Sequence, residues 1–308
     1  MRKTILYEIS SLYRQHFKVQ GYLFGEGEKA LCVVGSVRGN EYQQIYMCSQ
    51  LVAKLKKLEE EGLLKKDQEI LVIPTLNPYS MNIGKRFWPT DNTDINRMFP
   101  GYAEGETTQR IAAGVFEKIF PYKNGVQFAS FYMPGNFLPH VRMMKTGYEN
   151  VEKAKKFGLP YVILRDPKPY DTTTLNYNWQ IWETDAFSVY STTTSSIDEK
   201  SAEQTVESVL RFLAAEGILH YPDRGGYRSE VFRDAELLTV RPKKAGIFRS
   251  KIEVGDNVEK GEVMAEILDP GEGCVIEKLE APQDGTVFFR HTDPLTYAST
   301  AVFKLLPI

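Results

Sequence analysis

The first 220 residues alternate between short apolar runs and longer segments whose apolar residues recur every three or four positions. The runs 30–34 (ALCVV) and 69–74 (EILVIP) have the length and continuity of buried strands. Between them, 41–61 carries apolar residues at helical spacing, and Gly62 follows as a helix stop. Strands that alternate with helices predict a mostly parallel sheet with helices on both faces.

The same alternation continues to about residue 220. Thr107 to Ile119 has helical spacing, and 161–164 and 186–190 read as further strands. The segment 198–216 is the most regular helix pattern, because it begins with acidic residues, keeps an apolar stripe and is followed by Gly217.

After about Pro222 the helical spacing disappears. From 241 to 306 the chain has short β-like runs punctuated by glycine and proline, which is typical of a small all-β module. A length of 308 residues permits about two domains. We therefore predict an α/β domain over 1–222 and a β domain over 223–308, with the boundary in HYPDRGGYR (220–228).

Composition excludes several classes of protein. Lys plus Arg is 38 and Asp plus Glu is 40, so the chain lacks the basic excess of a nucleic-acid binder. No apolar stretch approaches the roughly 20 residues of a membrane helix. Cys32, Cys48 and Cys274 are too few and too scattered for a disulfide framework. We expect a cytoplasmic protein with no nucleic-acid partner and no membrane span; the oligomeric state stays unknown.

The first candidate for chemistry is the loop GSVRGNE (35–41), between a predicted strand and helix. Loops at the carboxyl ends of strands are where open α/β sheets bind ligands. Arg38 and Glu41 are its charged residues. On the residues alone, the favoured interpretation is a loop that caps the helix, with Glu41 interacting with the helix dipole.

The second candidate is DINRMFPG (94–101), where Asn96 and Arg97 stand between hydrophobic anchors. Arg97 has the planar guanidinium that binds a carboxylate through two parallel hydrogen bonds. The alternative is a structural salt bridge from Arg97 to Asp94 or Asp91.

The third candidate runs from QFAS (127–130) to LPHVR (138–142). The chain has four histidines, at 16, 140, 220 and 291, and no two are close in sequence. A catalytic zinc site needs about three protein ligands, usually including His. The residues alone therefore do not predict a zinc site.

Together, the order and spacing of these stretches resemble the succinylglutamate desuccinylase/aspartoacylase family, relatives of the zinc carboxypeptidases. The resemblance rests on a strand followed by G-x-x-x-G-N-E, then I-P-x-L-N-P, D-I-N-R-M-F-P-G and L-P-H-V-R, with a glycine-rich β domain at the end. It covers nearly the whole chain. It implies a zinc-carboxypeptidase-like, mostly parallel sheet flanked by helices, plus a small barrel-sandwich-like β domain.

The resemblance also implies a site, and this chain departs from it. The family holds one zinc with His and Glu of G-x-H-G-N-E and a second His at a strand end, and a catalytic Glu lies on a later strand. Carried over, Glu41 is retained, whereas Arg38 and Ala129 stand at the two His positions and Tyr190 at the catalytic position. Because one carboxylate does not hold zinc tightly, we expect no resident cofactor. Arg38 would replace the zinc electrostatically and would pair with Glu41.

The leading hypothesis is a family protein that recognises a small anionic N-acyl amino acid or peptide-like ligand, with degraded zinc ligands that argue against classical metallohydrolysis. Its ligand-binding residues are the retained Asn96 and Arg97, together with Arg38 and Arg142. His140 is predicted to be structural or to support the site.

Two alternatives stay open. One is an active amide or ester hydrolase, with an unusual metal site or a metal-independent mechanism, in which Glu41, Tyr190 or Glu183 supplies acid–base chemistry. The other is a non-catalytic scaffold that uses the β domain. This domain resembles the biotinyl/lipoyl-type modules, but Lys278 lies too close to Ala281 to be a carrier lysine.

Overall fold

A computed structural model of the chain describes residues 1–10, 15–131, 133–222 and 225–308. Of the predicted boundary segment 220–228, residues 223 and 224 lie outside this description. Two compact units are present, and each combines separate stretches of chain: Met1–Ser130 with Pro139–Val231, and Phe131–Leu138 with Phe232–Ile308.

The strands of the first unit are β1 (Arg2–Ile9), β2 (Phe17–Gly25), β3 (Glu28–Ser36), β4 (Gln68–Thr75), β5 (Asn124–Phe128), β7 (His140–Met144), β8 (Tyr161–Arg165), β9 (Asp185–Tyr190) and the first two residues of β10 (Glu230–Arg233), whose last two residues belong to the second unit. Its helices are α1 (Tyr42–Glu60), α2 (Pro78–Asn82), α3 (Thr107–Ile119), α4 (Val151–Lys155), α5 (Leu175–Ile181) and α6 (Glu199–Ala215), with 3-10 turns at Ile95–Arg97 and Pro169–Asp171. No helix in the described ranges is long and apolar enough to cross a bilayer.

These strands form one nine-stranded sheet in the order β1-β2-β4-β3-β5-β9-β7-β8-β10. The central strands β4, β3, β5 and β9 are parallel, while β7 runs antiparallel to β9. Alternate residues of β3 enter different cores: Val33 packs with α1 and α6, and Val34 packs with α3 and α5. A mostly parallel sheet with helices on both faces confirms the predicted class of this part.

The register of the parallel strands brings the candidate loops to one edge. Val34 of β3 lies beside Gln127 of β5, which lies beside Ser188 of β9. Because parallel strands end at the same edge, the residues that follow β3, β5 and β9 are neighbours in space. The antiparallel β7 starts at this edge, where His140 pairs with Tyr190.

The second unit is all β. Its strands are β6 (Gly135–Phe137), β11 (Leu238–Val240), β12 (Gly246–Ser250), β13 (Asn257–Val258), β14 (Val263–Leu268), β15 (Val275–Glu280), β16 (Gly285–His291), β17 (Leu295–Thr296) and β18 (Phe303–Pro307), and a 3-10 turn spans Asp234–Glu236. They form two antiparallel sheets around a shared apolar core. The all-β prediction for the C-terminal part is confirmed. The strand β6 was not foreseen: it pairs with β16, more than 140 residues away, and no local pattern signals such a pairing.

Gly101 ends the motif that carries Asn96 and Arg97, and its backbone φ is +98°. A Cβ there would lie 2.1 Å from the backbone nitrogen of Ala113 in α3. We expect Gly101→Ala to lower the free energy of unfolding by about 3 kcal/mol, because it adds a backbone clash to the cost of a positive φ. Gly147 has a similar φ of +92° with nothing within 4 Å of a Cβ, so Gly147→Ala should cost only about 1 kcal/mol. If urea unfolding gave the two variants equal losses in the free energy of unfolding, the close contact between residue 101 and the backbone of Ala113 would not affect stability.

Candidate functional site

Arg38 and Glu41 face each other in the loop after β3. Arg38 is 6% exposed and Glu41 1%. Nη1 of Arg38 donates to Oε1 of Glu41 at 3.2 Å, so the expected pair is present. Oε2 of Glu41 accepts the backbone N–H groups of Val37 (2.7 Å) and Arg38 (3.0 Å), and the Ser130 hydroxyl donates to Oε1. Glu41 occupies the N-cap position of α1 but makes no side-chain cap bond, so its carboxylate serves the loop rather than the helix.

Asp94 is the second carboxylate on Arg38. Its Oδ2 accepts from Nε (3.1 Å) and Nη2 (2.8 Å) of Arg38. Burial opposes a charged guanidinium, but the charges of Glu41 and Asp94 outweigh it and raise the pKa of Arg38, which is therefore a permanent cation. The sequence offered Asp94 or Asp91 as a partner of Arg97; this pairing is wrong, because the carboxylate of Asp94 turns to Arg38.

Asn96 and Arg97 lie on the 3-10 turn Ile95–Arg97. Nη1 of Arg97 donates to the carbonyl of Tyr170 at 2.5 Å and lies 3.5 Å from Oδ1 of Asp171. Oδ1 of Asn96 accepts the backbone N–H of Leu175 at 3.4 Å. These contacts hold one edge of each side chain, and so they fix the direction in which its opposite edge points.

The other sides face outward as hydrogen-bond donors. Within the described ranges, Nε and Nη2 of Arg97 and Nδ2 of Asn96 make no hydrogen bond. The Arg97 side chain is 34% exposed, so solvent and solutes can reach it. The Nε–Nη2 edge of a guanidinium can pair with a planar carboxylate through two parallel hydrogen bonds.

Arg86 is a member of this region that the sequence analysis missed. Burial lowers its pKa first, and the positive charges of Arg38 and Arg97 lower it further, while Asp94 and Glu41 oppose this. Arg86 therefore lies in the electrostatic field of the other arginines. It stands in a loop, in the stretch GKRFW, where no recognised motif marks it.

A second group forms where β7 meets β9. The rings of His140 and Tyr190 stack with 4.6 Å between centroids and 3° between planes. Cζ of Arg142 lies 5.9 Å from the Tyr190 ring centroid, and Arg142 is 8% exposed. The structure thus brings these three predicted residues together. Their roles in binding or catalysis stay predictions.

Next to Arg142 lies a row of polar groups, of which the sequence analysis missed Ser188 and Asn176. Ser188 pairs with Arg142 across the strands. Asn176 of α5 donates through Nδ2 to Oε1 of Gln127 at 2.8 Å and to the Ser188 hydroxyl at 2.5 Å. In the sequence, each of these residues is a single polar position among apolar neighbours. The row can therefore be recognised only from the contacts between the side chains in the structure. Glu183, by contrast, is exposed and precedes β9, at the opposite end of this strand from Tyr190.

The residues at the edge do not fit the zinc ion that the family resemblance implies. Over the ranges that the structure describes, no three His, Cys, Asp or Glu side chains are grouped to hold a metal. Both oxygens of Glu41 are engaged, and a guanidinium lies against one of them. Ala129 has no donor side chain, and its carbonyl accepts from Nε2 of Gln44 at 3.1 Å. Zinc sites in proteins need three or four ligands.

Comparison with known proteins agrees with this arrangement of motifs. The family model of the succinylglutamate desuccinylase/aspartoacylase catalytic domain matches residues 27–125, which include Arg38, Glu41 and the Asn96–Arg97 turn. A curated relative, the N-alpha-acetyl-L-2,4-diaminobutyric acid deacetylase of Halomonas elongata, is 24% identical over 284 residues, covering 86% of this chain and 78% of the relative.

Solved structures share the fold. A succinylglutamate desuccinylase/aspartoacylase from Rhodobacter sphaeroides superposes with a TM-score of 0.80 at 18% identity, covering 99% of this chain and 95% of that one. The product-bound ectoine utilization protein EutE (DoeB) from Ruegeria pomeroyi gives a TM-score of 0.77 at 19% identity, covering 95% and 90%. The sequence motifs, the match over residues 27–125, the curated relative and the shared fold together support the resemblance of this chain to the succinylglutamate desuccinylase/aspartoacylase family.

Proposed function

We propose that this chain binds a small anionic N-acyl amino acid or peptide-like molecule at Arg38, Asn96 and Arg97, and that it does so without a resident zinc. The observation that carries the proposal is the buried guanidinium of Arg38, held between Glu41 and Asp94. This guanidinium supplies a fixed positive charge beside Glu41, which in the carried-over family pattern is the one zinc ligand that this chain keeps. We place this binding activity in the cytoplasm.

The balance of charge supports an anionic ligand. The region contains two sets of ion pairs: Arg38 pairs with Glu41 and Asp94, and Arg97 and Arg165 pair with Asp171. Arg86, which the field of Arg38 and Arg97 reaches, adds a further positive charge. An excess of positive charge in a poorly solvated region attracts a small anion.

The donors support a carboxylate beside an acyl group. The Nε–Nη2 edge of Arg97 presents two parallel N–H groups, and Nδ2 of Asn96 presents a third from the same turn. In the proposal, Arg97 binds the carboxylate and Asn96 donates to the acyl carbonyl. The name of the Halomonas elongata relative, a deacetylase of an N-acetylated amino acid, supports this ligand class.

A test is to titrate the purified chain with N-acetyl-L-aspartate by calorimetry, in buffer that contains EDTA. We expect binding to persist in the chelator and Arg97→Met to weaken it about 10- to 100-fold, the usual range for losing charge-assisted hydrogen bonds. The control is Arg110→Met, which removes an exposed arginine of α3. Binding that requires added zinc would contradict the proposal, as would no binding across a panel of N-acetyl and N-succinyl amino acids and short peptides.

One contact favours a second candidate, a metal-independent amide or ester hydrolase. The Ser130 hydroxyl donates to Glu41, which places a hydroxyl and a carboxylate side by side. Turnover that survives chelation and disappears in Glu41→Gln would favour this reaction. Turnover that disappears on chelation would indicate a metallohydrolase. The non-catalytic scaffold would be favoured if the chain bound no small ligand at all and the Arg97→Ala variant still bound a partner protein.

A further inference from the structure

Asp94 holds two separate parts of the candidate site with its two carboxylate oxygens. Oδ2 accepts from Nε and Nη2 of Arg38, at 3.1 and 2.8 Å. Oδ1 accepts the backbone N–H of Asn96 at 3.1 Å and so caps the turn Ile95–Arg97. The backbone carbonyl of Asp94 accepts the N–H of Arg97 at 2.8 Å. One residue therefore joins the loop after β3 to the turn that carries the outward-facing donors.

We propose that Asp94 is a positioning residue that couples Arg38 to the Asn96–Arg97 turn, so that the direction of the Arg97 edge depends on the Arg38–Asp94 pair. This inference rests on the proposed function for its ligand readout only. The coupling itself is a property of the free protein.

The geometry leaves this coupling little freedom. A carboxylate is planar, so fixing Oδ1 on the N–H of Asn96 also fixes where Oδ2 lies relative to the turn. Arg38 is held from the other side by Glu41, which in turn accepts two backbone N–H groups of its own loop. A continuous series of charge-assisted hydrogen bonds thus runs from the β3 loop to the turn. The side chains of Arg38, Glu41 and Asp94 are 7%, 2% and 16% exposed, so water competes weakly for these bonds.

The chain contains a matched control three residues earlier. Oδ1 of Asp91 accepts from the backbone N–H (2.9 Å) and the hydroxyl (2.7 Å) of Thr93, in the same kind of local turn. No ion pair to Asp91 is present in the described ranges. Asp91→Asn therefore tests the loss of a turn carboxylate without the loss of an arginine pair.

Asp94→Asn separates the two tasks of Asp94. Asparagine caps helical turns about as well as aspartate, so the bond to Asn96 is retained. Its amide cannot accept from Arg38 through the position of Oδ2 while it caps through Oδ1. We expect Asp94→Asn to speed hydrogen exchange of the Arg38 Nε–H at least 10-fold by 15N NMR, and to raise the Kd for N-acetyl-L-aspartate about 10-fold. Asp91→Asn should leave both unchanged.

Arg38→Lys tests the coupling from the opposite end and serves if Asp94→Asn does not fold. Lysine keeps the charge but cannot present Nε and Nη2 together to one oxygen. We expect faster exchange of the Asn96 backbone N–H, although the substitution is 58 residues away, and no change at the Thr93 N–H.

The outcomes separate this inference from the proposed function. If the wild type binds none of the N-acyl amino acids but Arg38→Lys speeds Asn96 exchange, the proposed function fails and the coupling stands. If the wild type binds N-acetyl-L-aspartate and Asp94→Asn binds it equally well, the coupling is refuted and the proposed function stands. The coupling would also be refuted if the Asn96 backbone N–H exchanged at the same rate in Arg38→Lys as in the wild type.

Discussion

Arg38→His combined with Ala129→His is expected to convert the candidate site into a zinc site. After exposure to a modest zinc excess and desalting, this variant should retain about one zinc per chain, because two imidazoles beside the carboxylate of Glu41 make the three-ligand set of a catalytic zinc. Asp94 would strengthen the site, since it would lose Arg38 as a partner and could accept the second N–H of the new imidazole. The wild type is expected to retain essentially none.

Metal analysis of four proteins decides this prediction: the wild type, the two single variants and the double variant. Each single variant supplies only two ligands and should retain far less zinc than the double variant. A double variant without zinc would mean that Arg38 and Ala129 do not occupy ligand positions. One zinc per wild-type chain would overturn the conclusion that these residues do not fit the metal, and the protein should then be assayed as a deacylase.

Arg38→Met is expected to lower the free energy of unfolding by about 3 kcal/mol at neutral pH, the low end for breaking a buried ion pair by removing one partner. The cost arises because Glu41 stays buried and charged without its guanidinium. The low end is appropriate because Glu41 keeps its bonds to the backbone N–H groups of Val37 and residue 38 and to the Ser130 hydroxyl.

Combining Arg38→Met with Glu41→Gln should recover more than half of this loss, because it removes the unpaired charge as well. Urea unfolding with an unchanged m-value measures both effects. Arg2→Met is a suitable control, since Arg2 pairs with Glu26 at 3.6 Å on the exposed surface and such pairs contribute little. A loss in Arg38→Met no larger than that in Arg2→Met would show that the Arg38–Glu41 pair is not buried in solution.

Much of the fold was predictable because its elements are encoded locally. The apolar runs 30–34 and 69–74 lie in β3 and β4, which are covered by helices on both faces and so carry apolar residues without alternation. The segment 198–216 became α6, with Asp198 as its N-cap accepting the N–H of Ser201.

The candidate site was predictable only in part. The residue types Arg38, Glu41, Asn96 and Arg97 stand out in the motifs, and the structure brings the first two together as expected. The pairing of Asp94 was not predictable, since Asp94 is near Arg97 in the sequence but near Arg38 in space. Arg86 and Asn176 were missed because each acts through neighbours that are remote along the chain.

The sequence by itself therefore determined the element types and the family motifs, because these depend on residue identity and local periodicity. From the same motifs it predicted that Arg38 and Ala129 stand at two zinc-ligand positions, and this stays a prediction. Only the tertiary structure decided which carboxylate holds which arginine, that β6 joins the second unit, and that Glu183 lies away from Tyr190. The physical reason is that charges and hydrogen bonds act over a few ångströms in space, and strand register, rather than sequence spacing, decides which side chains come within that reach.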